Sequence, residues 1–164
     1  MNERILGLDL SLRSTGYVVR ELNGLTIHFG CIGYELPRSS PEQLKIERLI
    51  DIRNKLCSLI SEYNVRVIGI ERYAYGARGA QNDLAELHGV LKVAIIEQFR
   101  LIPQYVSVQA ARKQTVGKGS GLTKAQFRKK IEEVSGFNFG NTDEADAWSV
   151  SEFTRVMRQQ ERGL

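Results

Sequence analysis

Apolar positions recur along this chain with two different periods. Arg4 to Leu10 is a nearly continuous apolar run and predicts a buried strand. Tyr17 to Arg20 predicts a second strand and Leu25 to Ile32 a third. Asn23-Gly24 between them has the composition of a hairpin turn, so three antiparallel strands open the chain. The period then changes. Ser40-Pro41-Glu42-Gln43 has the form of a helix start, with Ser40 as cap, Pro41 at the first helical position and Gln43 closing a capping box. Leu49, Ile52, Leu56, Leu59 and Tyr63 follow at helical spacing. Val65 to Glu71 is a short apolar run ending on a charge, as a central parallel strand does.

A Gly-containing loop, Arg72 to Gly79, precedes a helix over residues 80–99. Leu84, Leu87, Leu91 and Ile95 line one face of it, while Val90, Val93 and Ile96 lie elsewhere around it, which predicts burial on more than one side, against the sheet and against a partner, with Leu87 or Leu91 as an outward position. Tyr105 to Val108 predicts a short strand, and Gly117 to Gly121 a loop. Thr123-Lys124-Ala125-Gln126 has the spacing of a second capping box and opens a helix to Ser135. Asn141-Thr142 leads into a last helix from Asp143 to Gln160. The predicted order is β-β-β-α-β-α-β-α-α: an α/β fold with a mixed five-stranded sheet, three strands antiparallel and two parallel, flanked by helices.

Composition narrows what such a fold does. The 164 residues suit one domain, 1–164, and 42% hydrophobic with 26% charged residues is the balance of a globular chain. No apolar run approaches the roughly 20 residues that span a bilayer, and Met1 to Arg4 leads directly into a strand, so a cytoplasmic protein without a signal peptide or membrane association is expected. Cys31 and Cys57 lack C-x-x-C spacing and read as reduced structural thiols. The net charge of +4 permits nucleic-acid binding without establishing it. Its distribution says more: Arg112, Lys113, Lys118, Lys124, Arg128, Lys129 and Lys130 fall in one stretch that holds no acid. Such a stretch suits a phosphate footprint, with a solvated helix face as the alternative.

The candidate chemistry is acidic. Asp9 ends the first predicted strand and Glu71 the fourth. A lone acid ending a strand is ordinarily a polar stop. Two such strands as parallel neighbours bring both carboxylates to the end of the sheet where open α/β folds place their sites. Asp143 and Asp146 are three residues apart and share one face of the last helix. Complementing the helix dipole is one reading of that pair. Glu144 lies between them, and like charges on one face repel unless something positive stands there. Four carboxylates in a chain with two histidines make a hard, oxygen-rich donor set suited to magnesium or manganese rather than zinc. Two such ions about 4 Å apart activate water and stabilise a leaving oxygen in phosphodiester hydrolysis. No small-molecule organic cofactor is expected.

Four segments together resemble a known family. Ile5-Leu6-Gly7-Leu8-Asp9-Leu10-Ser11, running on to Thr15-Gly16-Tyr17, is similar to the opening motif of the RuvC resolvases. Val67-Ile68-Gly69-Ile70-Glu71 is similar to their second acidic strand. Lys113-Gln114-Thr115-Val116-Gly117, with Gly119-Ser120 and Lys124-Ala125-Gln126, resembles their basic segment. Asp143-Glu144-Ala145-Asp146-Ala147 resembles the acidic pair opening their last helix. The resemblance implies an RNase H-like fold, a homodimer and paired metal-dependent incisions in four-way junction DNA. It implies Asp9, Glu71, Asp143 and Asp146 as metal ligands, with two Mg2+ ions per site and Mn2+ able to substitute. It places Lys113 and Lys124 at the scissile phosphate, while the acid-free basic stretch makes Arg112, Lys118, Arg128, Lys129 and Lys130 the candidates for wider DNA contacts. Leu10-Ser11 stands where the family has Pro-Gly. Arg72-Tyr73-Ala74-Tyr75 stands where it carries a Phe that enters the junction, which makes Tyr73 or Tyr75 the candidate for that role. Departures of this kind resemble phage-encoded members.

Other readings stay open at this stage. A related RNase H-like nuclease acting on other branched DNA or on RNA keeps all of the metal chemistry. A junction-binding protein that does not cut leaves four clustered carboxylates without a purpose. A sugar-kinase-like phosphate binder shares Gly7-Leu8-Asp9 with Thr15-Gly16, but leaves the basic segment unexplained and is ordinarily a much longer, two-lobed chain.

Overall fold

Residues 3–72 and 81–163 are described by the structure, a computed structural model. The first three strands are β1 (Arg4–Asp9), β2 (Thr15–Glu21) and β3 (Thr26–Ile32). They are followed by α1 (Glu42–Glu62), β4 (Val65–Glu71), α2 (Gln81–Phe99), β5 (Gln104–Val106), α3 (Val108–Val116), α4 (Lys124–Ser135) and α5 (Thr142–Glu161). The five strands form one sheet in the order β3-β2-β1-β4-β5. β1 to β3 pair antiparallel, and β4 and β5 run parallel to β1, as the sequence pattern predicts. Gly24 turns the β2–β3 hairpin with φ at +99°, a conformation that costs a residue without Cβ little.

Alternation along β1 divides the molecule into two layers. Leu6 and Leu8 face one side, where they join Ile52, Leu56 and Ile60 of α1 and Leu87, Leu91 and Ile95 of α2. Gly7 faces the other side, where α5 lies. That side is packed by Phe127 and Ile131 of α4, by Phe139, and by Ala145, Ala147 and Trp148 of α5. The seat of α5 is unusually close. A Cβ on Gly7 would stand 2.5 Å from the Ala147 carbonyl oxygen and 2.5 Å from the Ser151 backbone nitrogen. Gly16 lies equally tightly under Asp143, and Gly69 under Thr154. The strand register aligns these positions, with Gly7 opposite Gly69 on β4 and Asp9 opposite Gly16 on β2.

Three expectations need correction. Two helices were predicted after β5, and the structure has three. Val108 starts α3 instead of ending the strand, which stops at Val106. Only Ala111 of α3 is buried, so the helix carries almost no apolar periodicity. Ser40 does not cap α1: the N-cap is Pro41, without a side-chain bond, and Gln43 instead reaches Glu47 at 2.9 Å. Leu87 and Leu91 face the chain's own sheet and are 0% exposed, so the outward apolar positions of α2 are Val93 and Ile96. The capping box at Thr123 forms in full, with both Thr123 and Gln126 bonded.

The close seat of α5 yields a stability prediction. Gly7→Ala forces backbone or helix to move, and overpacking of this kind typically costs about 1–3 kcal/mol, more where backbone is the obstacle. Thermal unfolding of Gly7→Ala is expected to show a clear drop in midpoint, whereas Gly89→Ala, with nothing within 4 Å of the new Cβ, is expected to hold or raise it. Equal midpoints for the two variants would contradict the close packing of α5 on β1.

Candidate active site

Counting two residues along each strand from its tight glycine sets the first two acids. Asp9 lies two beyond Gly7, and Glu71 two beyond Gly69, so both stand on the α5 side of the sheet at the carboxyl ends of adjacent parallel strands. α5 begins directly over them. Asn141 caps it, its side-chain oxygen accepting the Glu144 backbone N–H at 3.0 Å, and its first turns carry Asp143 and Asp146. Glu144 turns away from the other acids to accept the Gly140 N–H at 2.6 Å.

The acids act on one another electrostatically. Burial, then the charges of Glu71, Asp146 and Asp143, hold the Asp9 carboxyl well above the ordinary carboxylate range, with Lys124 pulling the other way. Burial and the Asp146 charge push Glu71 up to about 7, against the pull of Arg112 and Lys124. Asp146 is raised by burial even though Arg112 faces it. Oxygen donors are therefore grouped where burial and neighbouring acids oppose their joint ionisation.

Arg112 is the cation nearest this cluster. Its Nε and NH2 donate to Asp146 Oδ1 at 3.2 and 2.9 Å, and NH2 also reaches Oδ2 at 3.2 Å. The guanidinium lies over the Phe127 ring, 4.4 Å from its centre. α3 is docked on α5 by the Thr115 and Ser149 hydroxyls, 3.1 Å apart. Among the described residues, no three His, Cys, Asp or Glu side chains are gathered closely enough to hold an ion. The donor set nonetheless fits a hard divalent cation, because its members are carboxylates that oppose one another's ionisation.

The other basic positions separate. Lys124 acts on Asp9, Glu71 and Asp146 alike. Lys113 is exposed on α3. Lys118, Lys129 and Lys130 are exposed. Arg128 is used internally, donating to Glu132 at 2.9 Å and to the carbonyls of Phe139 and Gly140. Tyr73 and Tyr75 lie outside the described residues. Sequence reasoning placed Arg112 among the general DNA contacts and did not anticipate its fork on Asp146. Helical phase separates the two: Arg112, unlike Lys113, lies one residue from Ala111, the buried position of α3, but that helix left no sequence signal of its own.

A mixed sheet in this strand order, with acids at two adjoining strand ends and in the first turns of a helix laid across it, is the arrangement of RNase H-like nucleases. Comparison with known proteins makes the class specific. The family described as crossover junction endodeoxyribonuclease RuvC matches residues 5–151, and the chain belongs to that family. The RuvC of Caldicellulosiruptor saccharolyticus is 28% identical over 152 residues, covering 90% of this chain and 89% of that protein. The RuvC of Xanthobacter autotrophicus is 30% identical over 130 residues, covering 78% and 74%. Among solved structures, Thermus thermophilus RuvC in complex with a Holliday junction substrate aligns with a TM-score of 0.72 at 13% identity, over 98% of this chain and 96% of that one. Fowlpox virus resolvase, solved with substrate Holliday junction DNA, aligns with a TM-score of 0.56 at 8% identity, over 94% and 98%. At such identities these two alignments speak for the fold.

The raised carboxyls carry a pH signature. Glu71 has a folded-state pKa of about 7 against an ordinary value of 4.5, so the folded protein holds its proton more tightly than the unfolded chain does. The contribution to stability is full below the ordinary value and is lost as pH rises through about 7. Without divalent metal, Glu71→Gln is expected to melt higher than the parent at about pH 8 and to converge with it as pH falls toward the ordinary carboxyl value. A melting difference that does not change with pH would contradict the burial of that charge.

Proposed function

We propose that this chain resolves Holliday junctions, cutting phosphodiesters of four-way DNA as a structure-selective endonuclease with magnesium. RuvC-family membership gives the endonuclease activity and the use of a divalent metal. The observation that carries the site assignment is the placement of Asp9 and Glu71 at adjacent strand ends on the side where α5 packs, its first turns carrying Asp143 and Asp146. These four are the proposed ligands of two Mg2+ ions, with Mn2+ able to replace them. When bound, such ions supply Lewis-acid charge and ease the deprotonation of water near neutral pH. The chain's own residues then have distinct tasks. Asp9 and Glu71, on rigid strand ends, fix the position of the site. Arg112 releases Asp146 when that carboxylate is needed as a ligand and turns its fork to phosphate oxygens, a geometry it matches in two-point fashion. Lys124 faces the charge that builds on the scissile phosphate. Lys113, Lys118, Lys129 and Lys130 extend the positive surface along the flanking arms, and Tyr73 or Tyr75 contacts unstacked bases at the junction centre. Such an enzyme belongs in the cytoplasm, with the DNA; no helix among the described residues is long and apolar enough to cross a membrane.

A labelled synthetic four-way junction, tested with magnesium beside a linear duplex, another branched DNA and an RNA hairpin, decides among the substrates. The expected result is symmetrically paired nicks in the junction alone. Cutting confined to another branched DNA or to RNA moves the assignment to a related nuclease, and binding without cutting makes the chain a junction-binding protein. Asp146→Asn is expected to bind the junction with unreduced affinity, since negative charge has been removed, while its cutting rate falls by at least about a hundredfold. Near-normal cutting by that variant would take Asp146 out of the catalytic set.

The proposed enzyme is a symmetric homodimer over the whole 1–164 domain, because a two-fold protein presents identical sites to a roughly two-fold substrate. α2 supplies an interface in this reading. Val93 is 54% and Ile96 36% exposed beside a groove between α1 and α2 that Arg53 and Glu97 border. Light scattering at micromolar concentration is expected to report twice the 18.5 kDa chain mass, and Val93→Glu to shift the protein toward monomer. A parent chain that stays monomeric while making coordinated paired cuts would overturn the dimer.

A further inference from the structure

We infer that a cleft on the face of the sheet opposite α5, walled by Arg13, Arg38, Lys45, Arg48 and Asp83, is a second phosphate site, which takes a backbone phosphodiester of the DNA arm leading away from the carboxylate cluster. The inference rests on the reading of this chain as a DNA enzyme and extends it to a surface that the basic stretch from Arg112 to Lys130 does not include.

The cleft holds about 500 Å³. Four of its lining residues are cationic and one, Asp83, is acidic. The charge of Arg48 is the least well matched. Arg48 is 5% exposed, its Nε has no hydrogen-bond partner, and its NH2 stands 3.9 Å from Asp83, beyond hydrogen-bond reach. A buried guanidinium whose ion pair with Asp83 is long and whose Nε is unbonded is costly, and a phosphate in the cleft adds a second anion to face it. The remaining acids near the cleft do not do so. Glu35 meets Arg13 at 3.7 Å and Glu42 meets Lys45 at 3.5 Å, and both acids are largely exposed, so these pairs are screened and easily exchanged for another anion. Arg38 is exposed and makes no ion pair among the described residues.

Topology puts the cleft within reach of the same DNA. Leu12 and Arg13 follow β1 directly beyond Asp9. α1 runs back toward the start of β4, so its first turns, with Lys45 and Arg48, lie at the end of the sheet where Glu71 ends β4. Asp83 is in the first turn of α2, which follows β4. All three walls therefore stand at the catalytic end of the sheet, on the α1–α2 side, while α3 and α4 present the basic stretch on the α5 side. A nucleic-acid arm crossing the strand ends meets positive charge on both flanks of the acids.

The test is the salt dependence of binding to a labelled four-way junction in EDTA. Neutralising one cation that binds a phosphate flattens the slope of log affinity against log salt by about 0.9. The double variant Arg38→Gln, Lys45→Gln neutralises two cations on the cleft's rim and is expected to flatten it by about 1.8 and to weaken binding at low salt by about tenfold or more. The double variant Lys55→Gln, Arg66→Gln removes the same charge elsewhere on the chain and is expected to leave the slope within about 0.5 of the parent. Equal slopes for the parent and the cleft variant, or equal flattening by both variants, overturns the cleft as a phosphate site. Failure of the parent chain to bind the junction at all overturns this inference together with the proposed function, whereas binding with an unchanged cleft slope overturns this inference alone.

Discussion

The contact between α5 and the sheet is the constraint on which the site depends. Glycines at Gly7, Gly16 and Gly69 remove the Cβ atoms that would hold the helix off, and the backbone of α5 at Asp143, Ala147 and Ser151 lies directly on β1 and β2. Because strand side chains alternate, the same positions fix which acids face the helix: Asp9 follows Gly7 by two residues, and Glu71 follows Gly69 by two. The helix brings Asp143 and Asp146 onto the two strand acids only because it lies that close. A helix seated a side chain higher would leave two separate pairs of carboxylates, each well solvated and with no reason to share a cation.

Closeness creates an electrostatic cost that the rest of the molecule partly offsets. Burial and mutual repulsion raise Asp9, Glu71 and Asp146 together. Arg112 answers with a fork on Asp146 and a seat on Phe127, and α3 is held in the right place because Thr115 and Ser149 join it to α5. A cation supplied by the chain thus stands on a carboxylate that the proposed function assigns to a metal ion. Grouped buried carboxyls faced by Arg112 and Lys124 are, in the proposed reading, a site that gains free energy when divalent cations enter and phosphate takes over the arginine.

Much of this was legible in the sequence because it rests on strong local rules. Apolar runs ending on Asp9 and Glu71, the Asn23-Gly24 turn and the Thr123–Gln126 box each have a physical cause confined to a few residues. The misses share a different cause, since each depends on what another element does. α3 carries a single buried residue, Ala111, and so left no stripe to read. The α2 pattern shows several apolar faces but not which of them meets the sheet, and Leu87 and Leu91 went to the core while Val93 stayed out. Arg112 and Lys113 are adjacent cations in a basic run, and only the phase of an unpredicted helix decides which one reaches Asp146. The capping residue Ser40 was overruled by Pro41, whose fixed backbone starts α1 without any side-chain bond.

The central claim is that two strand ends and one helix build a single cation site. Manganese binding to the DNA-free protein, followed by electron paramagnetic resonance titration, tests it most directly. Asp9→Asn, on the sheet, and Asp146→Asn, on the helix, are each expected to weaken the same saturable binding by at least about tenfold relative to the parent chain. Titration curves in which either variant binds manganese as the parent does would contradict the claim, because the acids of the helix and of the strands would then not share a site.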